Sequence, residues 1–389
     1  MNISTQNHKK ILLVITRLDA GGSADLTLRL AAGLTQHGHR VLLLSGPSPA
    51  AAQDLFQYAQ RHNFGLRILK PLRRELHPFF DLWALASIWR EILAFRPQVL
   101  HTNTSKAGFL GRLAGHLAHV PRIVHSDHGH IFYGYYTPAL TFFFVLLEKI
   151  ASHWCHKVLT LTETGRRDYL RLKIGKPQQY AVSSGGTDLS PFFAHPNRPV
   201  FMPDESHLLR IIWVGRMVPI KNLPLLLRAI TILEQENFPA EYWIVGDGPE
   251  RESSEHTVRT AGLRQVKFWG FRQDIPQLLA QCDLFVFTSL NEGFGLVIIE
   301  AMACGLPIVG PAVGGTPDLI NENNGILIPS DDAPALAAAI RHLAFLPDLR
   351  RHMSQCNQKK AANYTIDNYI SRVMGHYFTL EKRNATESI

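Results

Sequence analysis

The stretch from Asp283 to Gly310, DLFVFTSLNEGFGLVIIEAMACGLPIVG, predicts the strand, turn and helix from which the fold can be worked out. Leu284 to Phe287 is an apolar run typical of a buried strand, and Leu296 to Ala303 has helical spacing. The segment between them has turn chemistry and includes Gly295. The first N–H groups of a helix and the positive end of its dipole form an anion site, which commonly holds a phosphate.

Two carboxylates bracket this turn. Glu292 precedes the predicted helix and Glu300 lies within it. An ionised carboxylate accepts hydrogen bonds through both oxygens, so Glu300 is suited to bind two hydroxyl groups of a sugar, and we expect it to bind the ribose. The alternative is a carboxylate on the helix surface. A phosphate site beside sugar-binding carboxylates indicates a nucleotide-sugar site.

The segment EGFGLVIIEAMACGLPIV, which begins at Glu292, resembles the E-x7-E signature of the retaining family 4 glycosyltransferases. This spacing is weak evidence alone, because two glutamates so placed occur in many helices. Four further segments stand in that family's order, and together they make the resemblance specific over most of the chain: VGRMVPIKN, VGDGPER, VGGTPDLI and NGILIP. The resemblance implies the α/β GT-B architecture, in which two doubly wound Rossmann-like domains face a central cleft.

Strand patterns alternate with helical patterns along the chain, which indicates parallel sheets covered by helices. Seven strands are predicted in the first half, at 11–15, 41–44, 66–68, 99–101, 123–125, 158–161 and 180–182. Six more are predicted in the second half, at 209–214, 241–245, 266–268, 284–287, 308–309 and 326–328.

The proline-rich segment PFFAHPNRPVFMPDESH, which starts at Pro191, is typical of a linker. We therefore expect an acceptor-side domain over residues 1–195 and a nucleotide-sugar-binding domain over residues 196–365. By resemblance, a last helix at about 366–389 packs back on the first domain. A chain of 389 residues is also longer than one hydrophobic core usually serves.

The net charge of +8 favours anionic partners. Nucleic acid is the least favoured of these, because the basic residues are dispersed and no nucleic-acid-binding motif occurs. Four widely spaced cysteines without C-x-x-C spacing argue for a reducing compartment and against a zinc site. The longest apolar run, PALTFFFVLL, is too short to span a bilayer. We expect a cytoplasmic protein with neither a metal nor another cofactor.

The segment VGRMVPIKN provides two cations directly after a strand, Arg216 and Lys221, with Gly215 before them. Cleavage of a sugar–phosphate bond leaves negative charge on the departing diphosphate, which fixed cations stabilise most in the transition state. Arg216 and Lys221 are the expected leaving-group stabilisers, and the alternative is a solvated surface pair. By resemblance, Glu292 faces the transferred sugar. No enzyme nucleophile is assigned.

The remaining donor contacts are predicted on glycine-containing turns and on the opening helix. Turns alone explain such glycines equally well. The residues themselves leave the base open between uracil and guanine, and we take a UDP-sugar as the expected donor. The expected donor-binding residues are Gly21, Gly22, Gly215, Gly246, Gly248, Phe294, Gly295, Leu296 and Glu300.

Three further residues of the first domain belong to the expected site. His128 resembles the family histidine that contacts the outer hydroxyls of the donor sugar, and it is included among the catalytic residues. The alternatives are a plain loop histidine or a metal cluster with His125 and His130, for which no second shell is evident. Ser105 and Lys106 are the expected acceptor-side residues, although Ser105 alone is equally consistent with a helix N-cap.

Basic residues interleave with large apolar ones between Arg67 and Arg96, which is typical of a helix lying on an anionic membrane. An ordinary amphipathic helix facing the core is the alternative. We expect a transferase that moves a sugar to a hydroxyl of a glycan or lipid-linked acceptor, with peripheral membrane attachment. The other functions considered are a nucleotide-sugar epimerase or hydrolase of the same fold and a non-catalytic binding protein.

Overall fold

The computed structural model describes residues 8–19, 22–48, 52–129, 137–193, 200–204 and 207–378. They form two compact units. The first unit combines the described residues up to Gly186 with those from Ile366 onward, and the second runs from Thr187 to Thr365. The boundary expected at residue 196 lies outside the described residues. The division falls earlier in the chain, and Thr187 and Thr365, at the two ends of the second unit, pair in a β-bridge.

Each unit contains one parallel sheet. Within the described residues the first sheet has seven strands, in the order β3-β2-β1-β4-β5-β6-β7. Its strands are β1 (Lys10–Ile15), β2 (Arg40–Ser45), β3 (Gly65–Ile68), β4 (Val99–Asn103), β5 (Arg122–Asp127), β6 (Lys157–Thr160) and β7 (Tyr180–Val182). The second sheet has the order β10-β9-β8-β11-β12-β13. Its strands are β8 (Leu209–Val214), β9 (Ala240–Val245), β10 (Val266–Gly270), β11 (Leu284–Val286), β12 (Ile308–Pro311) and β13 (Gly325–Ile328).

Helices connect these strands, and further helices follow the last strand, β13. Those that precede β8 are α1 (Gly22–Gln36), α2 (Ala52–Arg61), α3 (Pro78–Phe95), α4 (Ser105–Leu117), α5 (Pro138–Ser152) and α6 (Glu163–Arg171). Those that follow β8 are α7 (Leu223–Gln235), α8 (Arg251–Thr260), α9 (Ile275–Leu279), α10 (Leu296–Ala303), α11 (Thr316–Leu319), α12 (Ala333–Ala344), α13 (Pro347–Ala361) and α14 (Ile366–Phe378).

Both strand orders are those of a doubly wound Rossmann-like sheet, which confirms the predicted fold class. Every predicted strand is present in the described residues. β6 ends at Thr160 and β11 at Val286, each one residue before the predicted end. The apolar residue beyond each strand belongs to the loop that follows.

The central strand β1 shows why these residues form a doubly covered sheet. Its side chains alternate between the two faces. Ile11 and Leu13 join a core with α1 and α14, whereas Leu12 and Val14 join a core with α3 and α4. A strand that is apolar at every position is therefore buried on both faces, as parallel sheets require.

Helix α14 completes the first of these cores. Gly33 of α1 lets the two helices approach closely, since a Cβ there would lie 2.2 Å from Cδ1 of Ile370. Near its end, the hydroxyl of Tyr377 lies 2.6 Å from Nδ1 of His101 on β4. Burial lowers the pKa of His101 to about 3, so this histidine is neutral and its ring nitrogens bond to Tyr377 and Ser126. Residues 379–389 of the expected last helix lie outside the described residues.

Candidate functional site

In the second unit, the chain reverses its direction of winding between β8 and β11. These strands are neighbours, but β8 leads toward β9 on one side and β11 leads toward β12 on the other. Such a place is called a topological switch point, and in open α/β sheets ligands bind there, at the carboxyl ends of the strands. The loop after β8 carries Gly215, Arg216 and Lys221, and the loop after β11 carries Glu292.

The structure brings two of the predicted catalytic residues into direct contact. The Lys221 ammonium lies 2.5 Å from Oε2 of Glu292, and the Ser289 hydroxyl donates to the same oxygen at 3.1 Å. Both members of the ion pair are mostly but not fully buried. Glu292 thereby orients the Lys221 cation at the switch point. Each residue was predicted, but the pairing was not, because it depends on how the two loops meet.

A buried threonine joins these two loops. Thr288 has no exposed surface, and its hydroxyl donates to the Lys221 carbonyl at 2.7 Å. The same hydroxyl accepts the indole N–H of Trp213 at 3.0 Å. The N–H of Leu290 also donates to the carbonyl of Ile220 at 2.9 Å. Thr288 was missed by sequence reasoning, and its only signal is a hydroxyl residue at the end of an apolar strand.

Helix α10 begins directly after the Glu292 turn. Its N-cap is Gly295, whose φ of 69° lies in the left-handed region that favours glycine. A Cβ at this position would also lie 2.7 Å from Cδ1 of Ile298. The first N–H groups of the helix lack intrahelical acceptors, as at any helix start. In the chain, these groups follow Glu292 by a few residues.

The other predicted residues of α10 and its turn differ in burial. The ring of Phe294 is buried and packs edge-on against Tyr364, so only its backbone is available to a donor. Leu296 is the first helical residue and is half-buried. Glu300 is half-buried between the buried Ile299 and Ala301. A ribose contact by Glu300 stays a prediction.

A second glycine loop supports Glu292 from behind. The N–H of Gly315 donates to the Glu292 carbonyl at 2.8 Å. A Cβ on Gly314 would lie 2.2 Å from that carbonyl oxygen, and the φ of Gly314 is 53°. The glycines after β12 therefore allow the backbone contact that fixes the Glu292 turn.

Arg216 has a different setting from Lys221. Its side chain is exposed, and it forms no ion pair with any residue that the structure describes. Two glycines of the loop after β9 allow close backbone packing against the loop that carries Arg216. A Cβ on Gly246 would lie 1.9 Å from the carbonyl oxygen of Gly215, and a Cβ on Gly248 would lie 2.4 Å from the carbonyl oxygen of Met217. Donor binding by Gly215, Gly246 and Gly248 remains a prediction.

In the first unit, His128 follows β5 and its Nε2 lies 2.8 Å from Oδ1 of Asn103. Burial lowers the pKa of His128 to about 4, so the imidazole is neutral near pH 7 and Nε2–H donates to the amide oxygen. Nδ1 is then an acceptor, and it has no hydrogen-bond partner among the described residues. This tautomer suits Nδ1 to a hydroxyl donor.

The histidine cluster considered as a metal site divides between different environments. His125 is buried, and its Nδ1 lies 3.0 Å from the hydroxyl of Thr102. His130 lies outside the described residues. Within those that are described, no group of three or more potential ligands is placed to hold a metal ion.

In the first unit, the loop after β1 contacts the loop after β4. In the second unit, the loops after β8 and β11 contact each other in the same way. The hydroxyls of Thr16 and Thr104 lie 2.8 Å apart. Thr104 has a φ of 64°, which is strained for a β-branched residue and is a feature that often marks functional sites. Sequence reasoning missed it, because backbone strain leaves no residue pattern.

The acceptor-side residues lie at the start of α4. The N-cap is Thr104 and Ser105 is the first helical residue, so the interpretation of Ser105 as the cap is wrong. The Lys106 ammonium lies 2.5 Å from Oδ1 of Asp81 on α3 and also donates to the Glu75 carbonyl. Gly22 is the first residue of α1, and Gly21 lies outside the described residues.

Comparison with known proteins identifies the class. Residues 20–190 match the model described as Glycosyltransferase Family 4, and residues 209–344 match that of Glycosyl transferases group 1. The chain belongs to this family of GT-B glycosyltransferases.

Individual relatives cover most of the chain. It is 26% identical over 318 residues to the UDP-Gal:alpha-D-GlcNAc-diphosphoundecaprenol alpha-1,3-galactosyltransferase of Escherichia coli, covering 79% of this chain and 82% of that protein. It is 24% identical over 312 residues to the capsular polysaccharide biosynthesis glycosyltransferase CapM of Staphylococcus aureus, covering 75% and 79%. The crystal structure of Anabaena HepE in complex with UDP has a TM-score of 0.79 at 20% identity, covering 95% of this chain and 100% of HepE.

Proposed function

We propose that this glycosyltransferase moves a hexosyl or N-acetylhexosaminyl group from a nucleotide-diphosphate sugar to a hydroxyl acceptor, with retention of configuration. The observation that carries the proposal is the contact between Lys221 and Glu292 at the switch point of the second sheet. One residue supplies an oriented cation for the diphosphate and the other a carboxylate for the sugar, beside the start of α10.

The chemistry follows from the charges. When the sugar–phosphate bond breaks, negative charge develops on the departing diphosphate. Lys221, Arg216 and the first N–H groups of α10 stabilise that charge in this proposal. Lys221 and the N–H groups are fixed in place before the reaction, so they cost little reorganisation, whereas the exposed Arg216 moves toward the diphosphate.

No protein nucleophile is assigned. One oxygen of Glu292 is bonded to Lys221 and Ser289, which reduces its nucleophilicity. In the proposed reaction, a phosphate oxygen of the leaving group takes the proton of the attacking acceptor hydroxyl. The hydroxyl then bonds to the anomeric carbon on the face from which the diphosphate leaves, which preserves the configuration.

The proposed donor is a UDP-sugar and the proposed acceptor is a lipid-linked or cell-surface glycan precursor. Support for UDP comes from the E. coli relative, whose name gives UDP-Gal as donor, and from HepE, which was crystallised with UDP. Support for the acceptor comes from the diphosphoundecaprenol in the name of the E. coli relative and from the capsular polysaccharide role of CapM. We place the reaction at the cytoplasmic face of a membrane.

Calorimetric titration with UDP, GDP and ADP tests the donor. We expect binding of UDP in preference to GDP and ADP. Binding of GDP in preference to UDP would contradict the proposed base, and the absence of nucleotide binding would contradict the donor site.

Donor turnover tests the reaction class. UDP release that requires a lipid extract as acceptor source supports a transferase. Turnover of the donor to a free or epimerised sugar without extract would show a hydrolase or epimerase, and binding without turnover in either condition would show a binding protein. We propose that no metal takes part, because Arg216 and Lys221 supply the positive charge. Loss of turnover in EDTA that is restored by a divalent cation would overturn that part.

A further inference from the structure

Two helices of the first unit expose large apolar side chains. On α3, Phe79 and Leu82 are each 67% exposed and Trp83 is 50% exposed. On α5, Phe142 is 72% exposed and Phe143 is 45% exposed. We call the whole set the α3–α5 surface: Phe79, Leu82, Trp83, Trp89, Leu93, Phe142, Phe143, Leu146 and Ile150.

Helical spacing gathers these residues on outward stripes. The exposed positions of α3 recur at intervals of three and four residues from Phe79 to Leu93, so they share one face. The opposite face carries the buried Ala84, Ile88 and Ile92. A helix that only covers a core has polar residues on its outer face. The outer face of α3 is apolar instead, so the core-facing alternative does not account for it.

Topology places α3 and α5 on the same side of the first sheet. The connections from β3 to β4, β4 to β5 and β5 to β6 all advance in one direction through the strand order. Right-handed crossovers therefore put α3, α4 and α5 on one face. Helix α4 packs between its two neighbours. The two apolar stripes consequently belong to a single layer of the unit.

Exposed cations lie on α3 and in the chain on either side of it. Between residues 67 and 96 the chain has six arginine or lysine residues and three acidic ones. Two of the acidic residues already have partners, because Asp81 pairs with Lys106 and Glu91 pairs with Arg67. The following basic side chains are exposed: Lys70, Arg73, Arg74, Arg90 and Arg96.

We propose that the α3–α5 surface docks on an anionic lipid bilayer. Exposed phenylalanine and tryptophan next to arginine match the headgroup region, where rings enter the acyl boundary and cations meet lipid phosphates. A second copy of the chain would present the same positive charge, and the repulsion disfavours self-association through this surface. None of the helices in the described part of the chain has the length and hydropathy of a membrane span.

This surface borders the acceptor-side residues. Asp81, which holds Lys106, lies in the first turn of α3 directly before Leu82 and Trp83. Docking through α3 brings the start of α4 close to the lipid headgroups. The inference thus deepens the proposed function, on which it rests for the identity of the acceptor: a lipid-linked acceptor reaches Ser105 and Lys106 from the bilayer.

Vesicle flotation tests the surface without donor or acceptor. The full chain is mixed with phosphatidylcholine vesicles, with or without phosphatidylglycerol, over a series of salt concentrations. We expect flotation only with phosphatidylglycerol, and less of it as salt rises. Two double variants, Leu82→Ser/Trp83→Ser and Arg74→Glu/Arg90→Glu, should each weaken vesicle binding by roughly tenfold or more.

Matched controls separate this surface from general effects. Phe56→Ser removes an exposed ring from α2, whose connection runs in the opposite direction and so lies on the other face of the sheet. Arg259→Glu/Arg264→Glu makes the same charge change on exposed residues of the second unit. Both controls should float like the parent protein. Circular dichroism verifies that every variant is folded.

Three outcomes would overturn the proposal. The first is the absence of salt-sensitive flotation, and the second is an equal loss of flotation in the control variants. The third is a lower oligomeric mass of the Leu82→Ser/Trp83→Ser variant than of the parent protein, which would show that the surface binds a second copy of the chain. UDP titration of the same proteins separates this inference from the proposed function. UDP binding without flotation would contradict only the docking of the α3–α5 surface on lipid. Flotation without nucleotide binding would contradict only the assignment of a nucleotide-sugar donor.

Discussion

At the scale of single residues, Lys221 and Glu292 show how two loops create a site that neither contains. The cation follows β8 and the carboxylate follows β11, 71 positions later. Their contact at 2.5 Å orients the ammonium and leaves Arg216 as the exposed cation of the same loop. Loss of Lys221 should therefore remove an oriented donor, whereas Arg216 is free to move toward a ligand.

Lys221→Ala should lower turnover roughly a hundredfold or more at saturating donor, which is typical of losing one preorganised donor. The measurement is kcat from UDP release. Lys173→Ala, in the turn after α6, is the matched control and should retain the parent rate. A near-normal kcat for Lys221→Ala would refute its role in stabilising the leaving group.

The buried histidines make stability depend on pH. The pKa values of His101 and His128 are lowered by burial from 6.5 to about 3 and about 4. The unfolded chain takes up their protons below pH 6.5 while the folded chain does not, so the free energy of unfolding falls as pH drops from 6.5 toward those values. At pH 5, His101 and His128 should each lower the free energy of unfolding by about 2 kcal/mol relative to pH 8.

Urea unfolding of the first unit at pH 8, 6 and 5 measures this loss. Carboxylates held by partners, such as Glu163 with its lowered pKa, contribute mainly below their ordinary value of 4.5, so the window from 6.5 to 5 reports histidine. Stability that is constant or rises on acidification through this window would contradict the neutral, buried state.

At the scale of elements, Thr288 fixes the loop that carries Lys221. Its buried hydroxyl is bonded to the indole of Trp213 and to the Lys221 carbonyl. Thr288→Val preserves the shape but leaves both partners without a hydrogen bond, at a cost of about 1–3 kcal/mol for each buried group. We expect kcat to fall roughly tenfold through misplacement of Lys221, with a smaller change in the donor KM.

The conservative variant distinguishes positioning from general destabilisation. Thr288→Ser keeps the hydroxyl and should restore most of the kcat. Thr231→Val removes a hydroxyl that bonds only within its own helix, to the carbonyl of Leu227, and should leave kcat unchanged. Equal kcat in Thr288→Val and the parent would exclude the positioning role.

The elements themselves were largely predictable from the sequence. Apolar runs bounded by turn residues gave every strand of both sheets, and the helix predicted from Leu296 to Ala303 has those bounds in the structure. The contacts of the site were less accessible. Pairing of Lys221 with Glu292, the Thr288 bridge and the strained Thr104 all depend on where separate loops meet in space, and no local pattern records that.

The outer face of α3 marks another limit of the sequence. Mixed basic and apolar residues between Arg67 and Arg96 fit a core helix and a membrane helix alike. Only the packing shows that Ala84, Ile88 and Ile92 fill the core and leave Trp83 outside. The larger side chains are on the exposed side, opposite to the arrangement that core packing alone would produce.

At the scale of the whole molecule, the first unit depends on a helix that follows the second unit in the chain. Helix α14 contributes the buried Tyr369, Ile370, Val373 and Tyr377. A chain that stops after Thr365 should expose this core and leave His101 without its Tyr377 partner. We expect the first unit of that variant to lose stability, while the second unit keeps its own core.

Hydrogen exchange measured by mass spectrometry tests this dependence. Amides of β1 and β4 should lose protection in the truncated chain, and those of β8 and β11 should keep it. A chain shortened after Phe378 is the control and should match the parent. Undiminished protection of β1 and β4 after truncation at Thr365 would show that α14 is dispensable.

The order of the segments has a consequence during synthesis. The N-terminus of a nascent chain emerges from the ribosome first. All seven strands of the first sheet therefore emerge long before α14 is translated. The complete second unit can form in the interval. During synthesis, the first unit therefore exposes the apolar surface that α14 later covers. We expect chaperones to bind this surface until α14 has been synthesised.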